Sequence, residues 1–468
     1  MTPLKSQYKQ MVWNPAYWNL VSPHVFSMIE TVRDVVRLYN TIQLKLSMIG
    51  DEINFSDLTL ITTIELKKPK FFEWIRNNKS ELVNKGDGFL EGLLGMKDSP
   101  EQWEKKYKQE LKDAHLSMDI DECQEILALL FPVYAARIHA YNYYSNDTEG
   151  LIRDQRIGYQ DKFDRYFVLS LDDEQIPREL LKNAVENLSK DELELFIKKS
   201  VNTYNCSNVI TEIDALAPIL SDVRSKILLA AMLKCIKYFE NESTEIYYSS
   251  AKRRAEDLCI TLMEKIGKNS SFEVMTTAID NAEPEDLEGI TYLLDVMLIS
   301  YNRIRENHGY PQVVTEDQLA DIGQLYLSRF LDLDSKHNLL ELENPQIYWI
   351  IQFFDKDKYM EIIRKKVNSN DLNKLMFLAD TVGLVYGSEG HYYQSTDNEE
   401  RSKFLSDDAI TSAISNCIND KKINELSRNQ AIRVAAYALR DSSYDRDVGV
   451  PEKDCLKKLA EWKYEKVK

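Results

Sequence analysis

Helix-start signals recur along this chain from end to end, and they constrain its fold more than any other feature. In SKDELELFIKKSVN, Ser189 is followed three residues later by Glu192. That spacing makes a capping box, in which each side chain satisfies a backbone N–H that the first helical turn leaves unpaired. TEDQLADIGQLYLSRFLDL repeats the device with Thr315 and Gln318. SPEQWEKKYKQEL and NPQIYWIIQFF place Pro100 and Pro345 directly after Ser99 and Asn344, where a missing N–H costs nothing. Apolar residues follow at intervals of three and four, as in Leu193, Phe196, Ile197 and Val201, or Leu319, Ile322, Tyr326 and Phe330. Strand-type alternation is almost absent. The pattern predicts an all-α fold.

With 468 residues, 44% of them apolar, the chain can bury a core in more than one unit. The polar, irregular stretch YSNDTEGLIRDQRIG (144–158) marks a composition break. An N-terminal, lid-like helical bundle is therefore expected over 1–150, a joint over 151–176, and an array of stacked helical pairs over 177–468. Within the array, EDLEGITYLLDVMLISY (285–301) and NDLNKLMFLADTVGLVY (370–386) share a loose helical pattern. YGSEGHYYQSTDNEE (386–400) reads as a surface loop.

The net charge of −17 disfavours non-specific binding to nucleic acid or to anionic membranes, because the overall field repels both. The longest apolar run, ILALLFPVYAA, contains a proline and is too short to span a bilayer. MTPLKSQYKQ has no signal-peptide core, so a cytoplasmic protein is expected. The six cysteines show no CxxC and no histidine pair at ligand spacing. Buried thiols are expected, and neither a disulfide framework nor a metal site.

Three stretches carry candidate chemistry. In TVRDVVRLYNTI (31–42), Thr31 and Asp34 suit a helix start, and Val32, Val35, Val36, Tyr39 and Ile42 form one apolar stripe. Arg33, Arg37 and Asn40 fall at i, i+4 and i+7 on another face. Arginines so placed are either solvated or, since a guanidinium grips phosphate oxygens as a fork, phosphate sensors. In DKFDRYF (161–167), Phe163, Tyr166 and Phe167 surround Asp164 and Arg165. They make either core aromatics at a helix end or a docking joint between the two helical parts. In RIRENH, Arg303 precedes His308 by five residues. The spacing matches the R-x4–6-H pattern of HEPN ribonucleases, a remote third reading, but a histidine near a helix C-terminus is the plainer one.

The run from Asn14 to Val83 resembles the region after the nucleotide-binding core in KAP-family P-loop NTPases. The resemblance rests on Tyr17–Trp18, on Arg33–Asp34 with Arg37 and Asn40, on Asn54–Phe55, Asp57 and Leu58, and on the helix from Pro69 to Lys79. LLFPVYAARI and DQRIGYQDKFDRYFVLSL resemble the family's later helical segment, so the likeness covers 13–175 and fades beyond. It implies a sensor or regulatory region with ATP-dependent switching, in a family largely bacterial and often linked to defence against phages. Arg33, Arg37 and Asn40 would then sense nucleotide, and Phe163 to Phe167 would form the interdomain joint.

The sequence departs from the family where catalysis would lie. No G-x-x-x-x-G-K-[ST] is present, and NKGDGFLEGLLGMK lacks the Lys-Ser/Thr end. YFVLSLDD (166–173) resembles a Walker B strand in outline only. The chain thus looks like the C-terminal part of such a protein, without catalytic residues or a cofactor of its own. ATP and Mg²⁺ are implied for the missing core, either joined to this chain or in a partner. A protein partner or trigger is expected on the array, and the chain alone is expected not to hydrolyse ATP. The alternative is a stand-alone helical interaction scaffold.

Overall fold

The computed structural model describes residues 12–83, 99–114, 116, 118–138, 148–240, 250–307, 309–387, 390–395, 399–440 and 449–466. Helix dominates them, as the periodicity predicts. The chain divides into two compact units after Arg224.

The first unit opens with α1 (Pro15–Met28), α2 (Val32–Ile49), α3 (Phe55–Lys67), α4 (Pro69–Asn77) and α5 (Lys79–Val83). It continues with α6 (Pro100–Asp113), α7 (Ile120–Leu130) and α8 (Pro132–Arg137). Four of these helices carry proline in their first turn, where it pre-sets φ. Helix α3 is the axis of the bundle: every residue from Phe55 to Ile64 is buried, and α1, α2 and α4 pack round it. Its interior hydroxyls bond back along the helix, Thr59 Oγ1 to Phe55 O at 2.8 Å and Thr63 Oγ1 to Thr59 O at 2.7 Å.

Three short helices follow, α9 (Thr148–Arg153), α10 (Gln160–Phe163) and α11 (Arg165–Val168). The unit ends with α12 (Arg178–Asn187), α13 (Lys190–Thr203) and α14 (Cys206–Leu216). The segment 151–176, expected as a joint, lies inside this unit. Several of its polar residues, Lys162 and Arg165 among them, are buried. Gln155, at φ 53°, and Arg156 are both buried. Gly158 sits so close to the chain between α7 and α8 that an added Cβ would lie 2.5 Å from Leu130 O. The Walker-B-like outline is not a strand: residues 165–168 are helical and close on Leu169 at φ 58°.

The division falls near the start of α15 (Asp222–Cys235). Beyond it come α16 (Ala251–Ile266), α17 (Lys268–Asp280), α18 (Leu287–Ser300), α19 (Glu316–Lys336) and α20 (Gln346–Trp349). Helix α16 packs on α17 and α18, α17 on α19, and α18 on α20. Alternate helices thus stack in two layers, the arrangement by which pairs too small to bury their own stripes share a core. The capping boxes at Ser189 and Thr315 form as predicted, and Leu319, Ile322, Tyr326 and Phe330 are all buried. Then follow α21 (Lys356–Val367), α22 (Asp371–Asp380), α23 (Glu399–Ser402), α24 (Asp407–Asn419), α25 (Arg428–Leu439) and α26 (Glu452–Glu461).

Two expectations fail here. The apolar run after α22 does not continue as helix, and residues 390–395 are not a loop. They form β1 (Val382–Gly387) and β2 (Gly390–Ser395), joined by β3 (Val450–Pro451) in an antiparallel sheet of order β1-β2-β3. Val382 pairs with Ser395, and Leu384 pairs with Tyr393. Valine, leucine and tyrosine suit a pleated surface, and the sheet buries Val382 and Tyr393 where it packs on α25.

Candidate functional site

Helix α2 begins as the sequence predicts. Thr31 Oγ1 accepts the Asp34 N–H at 3.2 Å, and Asp34 Oδ2 accepts the Thr31 N–H at 3.0 Å. Its buried face is not the predicted stripe. Leu38, Ile42, Lys45, Leu46 and Ile49 face inward, whereas Val32 is 80% exposed and Val35 and Val36 are each 52% exposed. Of the predicted stripe only Ile42 is buried. The reason lies in α3, which holds α2 through two ion pairs: Lys67 Nζ to Asp34 Oδ2 at 3.0 Å and Lys45 Nζ to Glu65 Oε2 at 2.5 Å. These anchors set the rotation of α2, and the valines turn outward.

Arg33, Arg37 and Asn40 are exposed on that outer side. Among the described residues no side chain of the three has a hydrogen-bond or ion-pair partner. Every other arginine of the first unit is engaged: Arg76 with Glu73, Arg137 with Glu81, Arg153 with Asp154, Arg156 with Asp57, Arg165 with Glu52, Arg178 with the Arg153 carbonyl, and Arg224 with the Val185 carbonyl. Leu44 and Met48 extend the exposed apolar surface along the helix.

Behind α2, the axial helix α3 carries Asp57 into a buried network. Tyr17 OH donates to Asp57 Oδ1 at 2.6 Å, while Arg156 Nε and the Ile157 N–H donate to Oδ2 at 2.8 and 2.9 Å. The Arg156 guanidinium lies 3.5 Å from the centre of the Tyr17 ring. Burial holds the Tyr17 phenol well above its ordinary value, so it remains a donor. Asn54 caps α3 through its side chain, and its own N–H reaches Tyr166 OH at 2.7 Å and Gln155 O at 3.1 Å. Tyr166 OH in turn donates to Gln155 O at 2.6 Å. Tyr17, Asn54, Asp57 and Tyr166, four residues through which the resemblance was drawn, therefore meet in one structure.

The predicted joint residues divide by environment. Phe163 and Tyr166 are buried, and Phe167 is half-buried between Phe163 and Phe72, with ring centres 4.9 and 5.3 Å away. Asp164 is exposed and pairs with Lys79 at 2.5 Å. Arg165 is buried and donates to Glu52 Oε2 at 2.9 Å, Gln155 Oε1 at 3.0 Å and Gln175 Oε1 at 3.0 Å. Glu52 Oε1 also accepts the Arg178 N–H at 2.6 Å. Lys162 donates to Glu212, and both are fully enclosed. Burial, reinforced by Arg165, pulls the Lys162 ammonium well below the usual lysine range, with Glu52 opposing. The cluster gathers Lys162, Arg165 and Arg178 round the carboxyl groups of Glu52 and Glu212.

Sequence reasoning missed Glu52, Gln155, Arg156, Lys162 and Glu212. Only Asp57 left a trace, as a lone acid in the otherwise uncharged NFSDLTLITT. Arg303 lies beyond the end of α18 and pairs with Glu316 at 2.7 Å, while His308 is outside the described residues, as is NKGDGFLEGLLGMK. All six cysteines are buried. Among the described residues no His, Cys, Asp or Glu group could hold a metal ion, and no helix is long and apolar enough to cross a membrane. Comparison with protein-family profiles, with curated proteins and with solved structures finds no match to this chain.

Proposed function

We propose that the first unit is a regulatory helical module of a KAP-type P-loop NTPase. The outer face of α2 docks on a nucleotide-bearing core, in the same polypeptide or in a partner, and Arg33 and Arg37 contact the phosphates held there. ATP and Mg²⁺ belong to that core. One observation carries the reading: two guanidiniums without a partner among the described residues stand beside exposed Val32, Val35, Val36 and Tyr39, on a helix whose opposite side is tied to α3. Merely solvated arginines need no apolar margin, whereas an interface for a phosphate-bearing partner needs both. An arginine that reaches a transferring phosphoryl group contributes about 10³–10⁵ in rate. The stacked pairs of the second unit would take a protein partner or trigger, and bacterial defence signalling is the setting the resemblance implies.

The test is ATP hydrolysis by the assembly captured with the native protein from its source cells, for wild type and for an Arg33→Ala, Arg37→Ala variant. Hydrolysis by the variant assembly should fall at least about tenfold, with its melting temperature unchanged. Equal hydrolysis overturns the reading. A second reading, a scaffold without nucleotide, draws on the exposed Leu44 and Met48, which suit a purely protein contact. In that case the double variant weakens partner binding equally with and without ATP.

A further inference from the structure

The second unit carries a partly open cavity of about 260 Å³ whose wall includes four aromatic side chains, Tyr348, Trp349, Tyr359 and Phe377, together with Asp380. Asp380 closes α22 and is half-buried. Its Oδ1 is fully enclosed, and among the described residues neither carboxylate oxygen has a hydrogen-bond or ion-pair partner. Two other polar groups of the wall have partners within the fold. Tyr348 OH donates to Asp334 Oδ1 at 3.1 Å, and Asp334 also takes Lys366 at 2.8 Å. Arg401, the cation in the wall, donates to Asp407 Oδ1 at 3.2 Å and lies 4.9 Å from the Tyr437 ring centre.

A buried carboxylate oxygen without a hydrogen bond costs about 1–3 kcal/mol, so the retention of half-buried Asp380 beside an aromatic cavity points to a partner that comes and goes. Its charge selects a cation. A bare ammonium keeps three N–H donors that ring faces do not satisfy, whereas an alkylated ammonium needs few hydrogen bonds and is attracted to ring faces. We propose that the cavity binds an alkylated ammonium cation, with Asp380 as its counter-charge and the four rings as its cage. Burial pushes the Asp380 carboxyl up to about 7, with Arg433 opposing and Glu343 reinforcing. A bound cation would pull it back toward the ionised form.

The chemistry fits two sources, a free choline-like molecule or a methylated lysine of a protein, and one calorimetric titration series on the intact chain separates them. The probes are choline, its neutral carbon isostere 3,3-dimethylbutan-1-ol, and a short trimethyllysine peptide. Choline should bind saturably, the isostere should bind at least about tenfold more weakly, and Asp380→Asn should weaken choline by a similar factor. Tighter binding of the peptide than of choline assigns the protein source, and the reverse order assigns the free molecule. Equal affinity for choline and its isostere overturns the proposal, as does an Asp380→Asn variant that binds choline like wild type. So does silence from all three probes at about 10 mM, which is already a weak-binding threshold.

Discussion

Lys67, in the last turn of α3, holds Asp34 of α2 at 3.0 Å, and this pair turns Asp34 inward. Side chains advance about 100° per residue round a helix, so Arg33 and then Arg37, one turn later, come to face out. The exposed face of α2 is thus set in part by a pair on its other side. Loss of Lys67 or Asp34 would remove that pair without touching either arginine.

The pair has a pH signature. Lys67, with the Thr31 contacts adding to it, lowers the Asp34 carboxyl to about 2, below the roughly 3.9 of an unfolded aspartate. A depressed folded value stabilises above the unfolded one and loses that contribution as pH falls through the folded one. Wild type should therefore exceed Asp34→Asn in stability by a constant amount above about pH 5, and the gap should close between about pH 4 and 2. Denaturant unfolding across that range measures it, and a gap independent of pH contradicts the assignment.

Asp57 should be among the most costly positions to lose. Asp57→Ala strands the buried Arg156 guanidinium and should destabilise by about 3–5 kcal/mol. Tyr17→Phe removes one bond to a carboxylate and should cost about 1–3 kcal/mol. Urea unfolding of both variants checks the order, and a loss below about 1 kcal/mol for Asp57→Ala contradicts the network.

The cluster round Arg165 makes an asymmetric prediction. Glu212→Ala leaves Arg178 and Arg165 short of a counter-charge and should cost about 3–5 kcal/mol. Lys162→Met removes a side chain already held toward neutrality and should cost clearly less, about 1–2 kcal/mol. A Lys162→Met variant less stable than Glu212→Ala would show that Lys162 carries its charge in the fold.

What the sequence reveals here follows the range of each interaction. Capping at Thr31–Asp34, Ser189–Glu192 and Thr315–Gln318 is local, so three-residue spacings suffice to predict it. The buried side of α2 is not local, because packing of Leu38, Ile42, Leu46 and Ile49 in the core and the pairs to Lys67 and Glu65 on another helix choose it over the valine face. The strand β1 hid in a run that begins as helix, and its pairing with β2 becomes apparent only across the turn. Arg33 and Arg37 stood out as a spaced pair, but Arg156 and Glu212 gave no signal, since their partners lie 99 and 50 residues away in sequence.

Asp380 has the opposite sign from Asp34. Burial raises its folded value to about 7, so the native state binds more protons than the unfolded chain between about pH 4 and 7. Its contribution to stability therefore falls as pH rises through that window and levels off above it. Asp380→Asn should flatten this slope and stabilise the protein at pH 8 by up to about 4 kcal/mol. Melting curves at several pH values read the change, and an unaltered slope contradicts it.

Tyr39 and Met48 are both exposed on α2, and both react with hydroxyl radicals, so they report whether a partner covers that face. The decisive measurement is their footprinting in the assembly captured with the native protein, with ATP bound and after its removal. Docking on a nucleotide-bearing core requires both residues to be protected relative to the purified chain, and the protection to weaken when nucleotide is withdrawn. Labelling equal to that of the purified chain in both states would show that the outer face of α2 meets water, and that Arg33 and Arg37 contact no phosphate there.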